Sequence, residues 1–166
     1  MVKKTLYLLT TLLIFLSACG TRTETAQKNK TLAEKYFRGL YSCDSSVVDE
    51  LCADDIAVSY PVFRQLFNTP ALRGKDEVRH FSNHFCKRWT DGRITIHEKI
   101  ADSNTVVLVW SFQARYNGPV SPGSTPGETE LSWGGITLIR FDEAGKIEAE
   151  IGEESDPGPF SRMQLH

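Results

Sequence analysis

The sequence has no surplus of basic residues and no clustered Lys/Arg face. Its formal charge is −2, and with Lys3 and Lys4 set aside the remainder carries 17 basic against 21 acidic residues, a net of −4. That argues against nucleic acid as a partner, because phosphate binding needs concentrated positive charge. Metal signatures are missing too. His80 and His84 stand four apart on a predicted helix, but no Glu follows His80 and no third ligand is near in sequence. A solvated helix face is the expectation there, with no metal and no cofactor. Cysteine is scarce, with Cys19, Cys43, Cys52 and Cys86 making up the set. Most of a predicted helix separates Cys43 from Cys52, roughly 12 Å at 1.5 Å per residue, which is beyond bridging reach. A pair involving Cys86 remains open, against the reading of Cys86 as a small core residue. At 166 residues and 40% hydrophobic content, the chain has room for one compact domain and not comfortably for two.

The N-terminal segment stands apart from that domain. Lys3 and Lys4 precede an apolar run from Leu6 to Phe15, which is too short to span a bilayer securely and ends in Leu16-Ser17-Ala18-Cys19. The tetrapeptide resembles the bacterial lipoprotein lipobox, whose final Cys is acylated. The resemblance implies a signal peptide over residues 1–18, a lipid on Cys19, and a membrane anchor in the cell envelope. Gly20 lacks the Asp that resembles an inner-membrane retention signal, so an outer-membrane position facing the periplasm is implied. Residues 19–30, rich in Thr, Gln and Lys without an apolar period, read as a flexible tether.

The folded part, 31–163, is organised around long strands. Val106, Leu108, Trp110, Phe112, Ala114 and Tyr116 alternate along one face of Thr105 to Tyr116, the period of a half-buried strand. Glu128 to Asp142 and Lys146 to Glu153 repeat the pattern, and Arg93 to Ala101 precedes them. Short polar links at Asp102-Ser103-Asn104 and Glu143-Ala144-Gly145 make the four a meander. Upstream, Thr31 and Glu34 have capping-box spacing at the start of a first helix. A second helix from Ser45 or Ser46 carries Val47, Val48, Leu51 and Cys52, and a short strand from Ile56 to Tyr60 stops at Pro61. A third helix follows Gly74 to about Trp89, after an irregular stretch with at most a short helical turn. The Pro- and Gly-rich run Asn117 to Gly127 reads as a long loop and a candidate lid.

Three helices ahead of such a sheet resemble the nuclear transport factor 2-like, or SnoaL-like, fold. Residues 53–61, Leu72-Arg73-Gly74-Lys75-Asp76-Glu77-Val78 and Arg140-Phe141 with Gly145-Lys146-Ile147 are similar to that family's local patterns. The resemblance implies an α+β fold, with three N-terminal helices packed in a curved, conical antiparallel sheet and a pocket at its open end. Because the fold hosts cyclases, isomerases, dehydratases and pure binders, it does not by itself decide an activity.

Asp156 matches the aspartate that acts as acid/base in SnoaL-like cyclases, although Asp ahead of Pro157 is also an ordinary turn. Tyr60 stands where steroid-isomerase relatives have an Asp base. A phenol is a poor base near neutrality and a serviceable donor, and a Tyr closing the barrel mouth is the competing expectation. His97 titrates in a useful range, but its neighbours suggest the outer face. Glu150, on one face with Glu148, is a candidate to point into the pocket, against a solvated edge strand. Trp110, Trp133, Phe112 and Tyr116 are candidates for an aromatic lining or, equally, for an ordinary core. Gly134-Gly135 beside Trp133 implies a bend or a close approach. Two functions follow. One is binding of a small apolar or aromatic molecule, with acid/base lyase, isomerase or cyclase activity; the other is a non-catalytic envelope module that dimerises or binds protein through its sheet face.

Overall fold

The computed structural model describes the backbone of residues 2–117 and 130–155, and side chains from Arg22 onward except those of 65 and 66. Helix α1 runs from Val2 to Tyr41 and α2 from Ser46 to Leu51, followed by strand β1 from Cys52 to Ser59 and helix α3 from Val62 to Phe67. Strand β2, Leu72–Arg73, leads into α4, Gly74–Arg88, and the chain ends in β3 (Trp89–Asp102), β4 (Thr105–Tyr116), β5 (Glu130–Phe141) and β6 (Ile147–Glu154). The six strands form one sheet in the order β2-β1-β6-β5-β4-β3.

Most of this follows from the alternation of the strands. All six inward residues of β4, Val106 to Tyr116, are buried, and β4 pairs antiparallel with β3 and β5 in the expected meander. The helices bury the apolar face. Ala33, Tyr36 and Phe37 on α1, spaced one helical turn, are fully buried, as are Val47 and Val48 on α2 and Val78 on α4. Register shifts in β3, at Thr90/Arg93 and Ile96/Glu98, bend the sheet around them.

Three expectations need correction. The sheet is mixed rather than antiparallel, because β1 lies parallel to β6, with Val58 opposite Glu150. Strand β6 is therefore an interior strand between β1 and β5, not a solvated edge. Neither does α1 open at Thr31. It is continuous through the segment read as a tether, where Asn29 is buried and donates Nδ2 to Ser103 O at 3.0 Å, and Arg22 pairs with Asp102 at 2.6 Å. A turn flanked by helix on both sides extends that helix at little cost, since nucleation is already done. Thr31 Oγ1 accordingly donates back to Gln27 O, and Glu34 accepts from Arg38 and Lys99 rather than capping a terminus. The short helical turn allowed for in the irregular stretch is α3, whose aromatic residues stack on α4 (Phe63–Phe81, 5.0 Å). The proposed lid loop lies outside the described residues except for Asn117.

The cysteine question resolves in favour of Cys86. It bonds Cys43, with Cα atoms 5.7 Å apart, and so ties the loop after α1 to α4; Cys52 is buried and free.

Candidate functional site

A mostly apolar cavity of about 60 Å³ lies between the helices and the sheet. Tyr41 and Leu40 at the end of α1 form one side, Phe63 and Phe67 come from α3, and α4 contributes Val78, Phe81, Ser82, His84, Phe85 and Arg88. The sheet supplies Val58 and Tyr60 from the end of β1, Trp89, Trp133, Glu150 and Glu154. Eight Phe, Tyr and Trp side chains on such a surface suit a flat or compact apolar ligand.

The two carboxyls come from one strand. Alternation along β6 puts Glu150, Gly152 and Glu154 on its inner face, and each serves the site differently. Glu150, 2% exposed, accepts the hydroxyl of Tyr60 at 2.6 Å and of Tyr36 at 2.7 Å. Tyr60 in turn shares a 2.9 Å bond with Thr137 Oγ1, which accepts Trp110 Nε1–H at 2.9 Å. With Glu150 ionised, one orientation satisfies every group. Trp110 donates to Thr137, Thr137 to Tyr60, and Tyr60 to the carboxylate, with Tyr36 donating from the other side. Burial raises the pKa of Glu150, while the two phenol bonds pull it back toward the ionised form. The same burial, with the nearby Glu150 charge, pushes the Tyr36 and Tyr60 phenols well above their usual range. The Cys52 thiol beside them is pushed up to about 12, chiefly by burial. It is an inert core thiol.

Gly152 makes this arrangement fit, because a Cβ there would come within 2.0 Å of the Tyr60 ring. Gly135 does the same for the neighbouring strand. A Cβ there would meet Trp110 at 2.7 Å and Glu153 O at 2.4 Å, so the predicted close approach is of the Trp110 side chain and of the strand backbone.

Glu154 has a different environment. It sits half-buried opposite Gly135 and near Trp133, and desolvation raises its pKa to about 7; the Trp133 indole N–H pulls the other way without closing a hydrogen bond. No cation contributes to that balance. A carboxyl half-ionised near neutrality can both take and give a proton.

Of the residues singled out in the sequence, Tyr60, Glu150 and Trp133 meet in the cavity. Trp110 stands one hydrogen bond behind Tyr60. Phe112 and Tyr116 pack the core behind it, Phe112 on Trp133 at 4.9 Å and Tyr116 on Trp89 at 5.1 Å, and neither faces the cavity. His97 is exposed on the other face of the sheet, 2.9 Å from Ser111 Oγ, away from this chemistry. Asp156 and the Cys19 side chain lie outside the described residues. Sequence reasoning missed Tyr36, Tyr41, Ser82, Trp89 and Glu154. The signal for Glu154 was present, since it is four residues from Glu150 on the same face of a strand.

Helices packed against a curved mixed sheet thus enclose an aromatic cavity to which the last strand contributes Glu150 and Glu154. The chain belongs to the SnoaL-like domain family, whose sequence profile matches residues 33–150. No curated protein sequence matches it. Solved structures share the fold. A protein from Jannaschia sp. CCS1, assigned as a SnoaL-like polyketide cyclase, superposes with a TM-score of 0.69 at 11% identity, over 86% of this chain and 95% of that one. AclR from Streptomyces galilaeus, assigned as a hydroxylase, gives 0.65 at 15% identity over 85% and 98%. SalBIII, an epoxide hydrolase/cyclase-like enzyme in pyran ring formation in the polyether salinomycin, gives 0.61 at 15% over 79% and 93%.

Proposed function

We propose that this domain binds a small apolar or aromatic molecule in the cavity and transfers a proton to or from it, in a reaction of the lyase, isomerase or cyclase type. The observation that carries the reading is Glu154, a half-buried carboxyl on an aromatic wall where desolvation pushes its pKa up to about 7. In this scheme Glu154 is the acid/base, Trp133 Nε1–H is the donor for an oxygen that gains charge, and Tyr60 with Glu150 fixes the floor. The named neighbours, two of them cyclase-type by description, are compatible with such chemistry. We further propose that Cys19 carries a lipid and anchors the domain to the envelope, facing the periplasm. The lipobox residues support this, and the Cys43–Cys86 disulfide suits an oxidising compartment.

The test uses the full chain with cyclohexanone in D₂O, following deuterium uptake at the carbon next to the carbonyl by NMR. Wild type is expected to exchange faster than buffer at pH 7, and Glu154→Gln to lose about a hundredfold while still shifting the ligand's resonances. Binding without exchange would leave a ligand-binding domain and no enzyme.

A second reading rests on the outer face of the sheet. Ile100, Val107, Leu138 and Ile151 are cross-strand neighbours in one row, with Val109 and Ile136 in the next. Ile100, Ile136 and Ile151 are 58%, 54% and 47% exposed. Such a stripe on an otherwise polar face fits a second copy of the chain.

A further inference from the structure

Two buried donors on the cavity wall close no hydrogen bond with the protein, although the Glu154 carboxyl attracts one of them, Trp133 Nε1–H. Ser82 Oγ is on α4, in the helix layer, and its residue is 3% exposed; Trp133 Nε1 is on β5, in the sheet, and its residue is 4% exposed. Both residues line the same cavity from opposite layers. The polar groups around Glu150 are matched, since Glu150 takes two phenols and Thr137 links Tyr60 to Trp110. A buried donor left unpaired costs about 1–3 kcal/mol, so an unmatched pair beside that satisfied network marks where a ligand brings acceptors.

We propose that the ligand is a compact, neutral ring compound with two acceptor oxygens at opposite ends, one received by Ser82 Oγ–H and the other by Trp133 Nε1–H. This deepens the function proposed above and rests on it. The indole N–H only donates, so the group facing it must be an acceptor such as a carbonyl oxygen. The carboxyls of Glu150 and Glu154 on the sheet side oppose an anion, and the Arg88 guanidinium on the helix side already has interactions of its own, which favours a neutral ligand. A protonated amine would suit the carboxyls and rings, but it offers neither donor a lone pair. The cavity volume of about 60 Å³ keeps the ligand compact.

The experiment is an NMR titration of the full chain with methylcyclohexane, cyclohexanone, cyclohexane-1,4-dione and cyclohexylammonium. Each oxygen is expected to tighten binding about three- to tenfold, in the order dione, ketone, hydrocarbon. Ser82→Ala and Trp133→Phe should each return the dione to the ketone's affinity and leave the hydrocarbon unchanged. Equal affinity for the three neutral probes would overturn the two-acceptor proposal while the apolar pocket stood. Tightest binding of the ammonium ion would overturn it in favour of a cation site. Absence of binding by any probe would remove the pocket reading and this proposal together.

Discussion

Glu150 and Glu154 share one strand face and one cavity, yet two phenols hold the first while the second has only the pull of an indole N–H that closes no hydrogen bond. That difference makes Glu154 the more consequential for pH. Its folded pKa, about 7, lies above the ordinary 4.5, so the folded protein holds a proton that the unfolded chain has released. Protonated below about pH 4.5 in both states, Glu154 costs nothing there; the penalty grows as pH rises and is complete above about 7. At 1.36 kcal/mol per unit it reaches about 3 kcal/mol. Glu154→Gln should therefore be more stable than wild type by about 2–3 kcal/mol at pH 8 and equal to it at pH 4, measured by urea unfolding at both values. Parallel stability curves for the two proteins would show that Glu154 is not buried in this way.

Elements were legible where a single period decides them. The alternation of Val106 to Tyr116 fixed β4 and its buried face, and Val47, Val48 and Leu51 marked α2. Partner choice was not legible. Nothing in Ile56-Ala57-Val58 says that β1 will lie parallel to β6, and that pairing turns the acid-rich last strand from an edge into the floor of a site. The same limit applies to Cys43 and Cys86, which are 43 apart in sequence and meet only because α4 folds back across the end of α1. Their bond joins two sides of the cavity, Leu40 and Tyr41 on one and Phe85 and Arg88 on the other. Closing a loop of that length restricts the unfolded chain by up to about 4 kcal/mol. The double variant Cys43→Ser with Cys86→Ser should lose about 2–4 kcal/mol in denaturant unfolding. Wild type in reductant should follow it. Unchanged stability on both counts would mean that the two cysteines are not paired in solution.

At the scale of the whole molecule, the two faces of the sheet differ in what they leave to do. The inner face is filled by helices and cavity, and among the described residues two of its buried side-chain donors close no hydrogen bond. Among the described residues no helix covers the outer face, and its Val109–Ile136 row ends at Glu98 and Glu153. A stripe with acidic residues at both ends is self-complementary only when a second copy packs stripe on stripe and keeps the charges at the rim, where they stay hydrated. Ile136 is near the middle of that stripe, so Ile136→Lys would bury an ammonium in such an interface, whereas on a monomer it would replace an exposed side chain by another. Sedimentation of the full chain in detergent, corrected for the micelle, should find a dimer for wild type and a monomer for Ile136→Lys, with the cavity probes binding both. A wild-type monomer across the micromolar range would remove the sheet-face reading and leave the cavity as the functional surface of the domain.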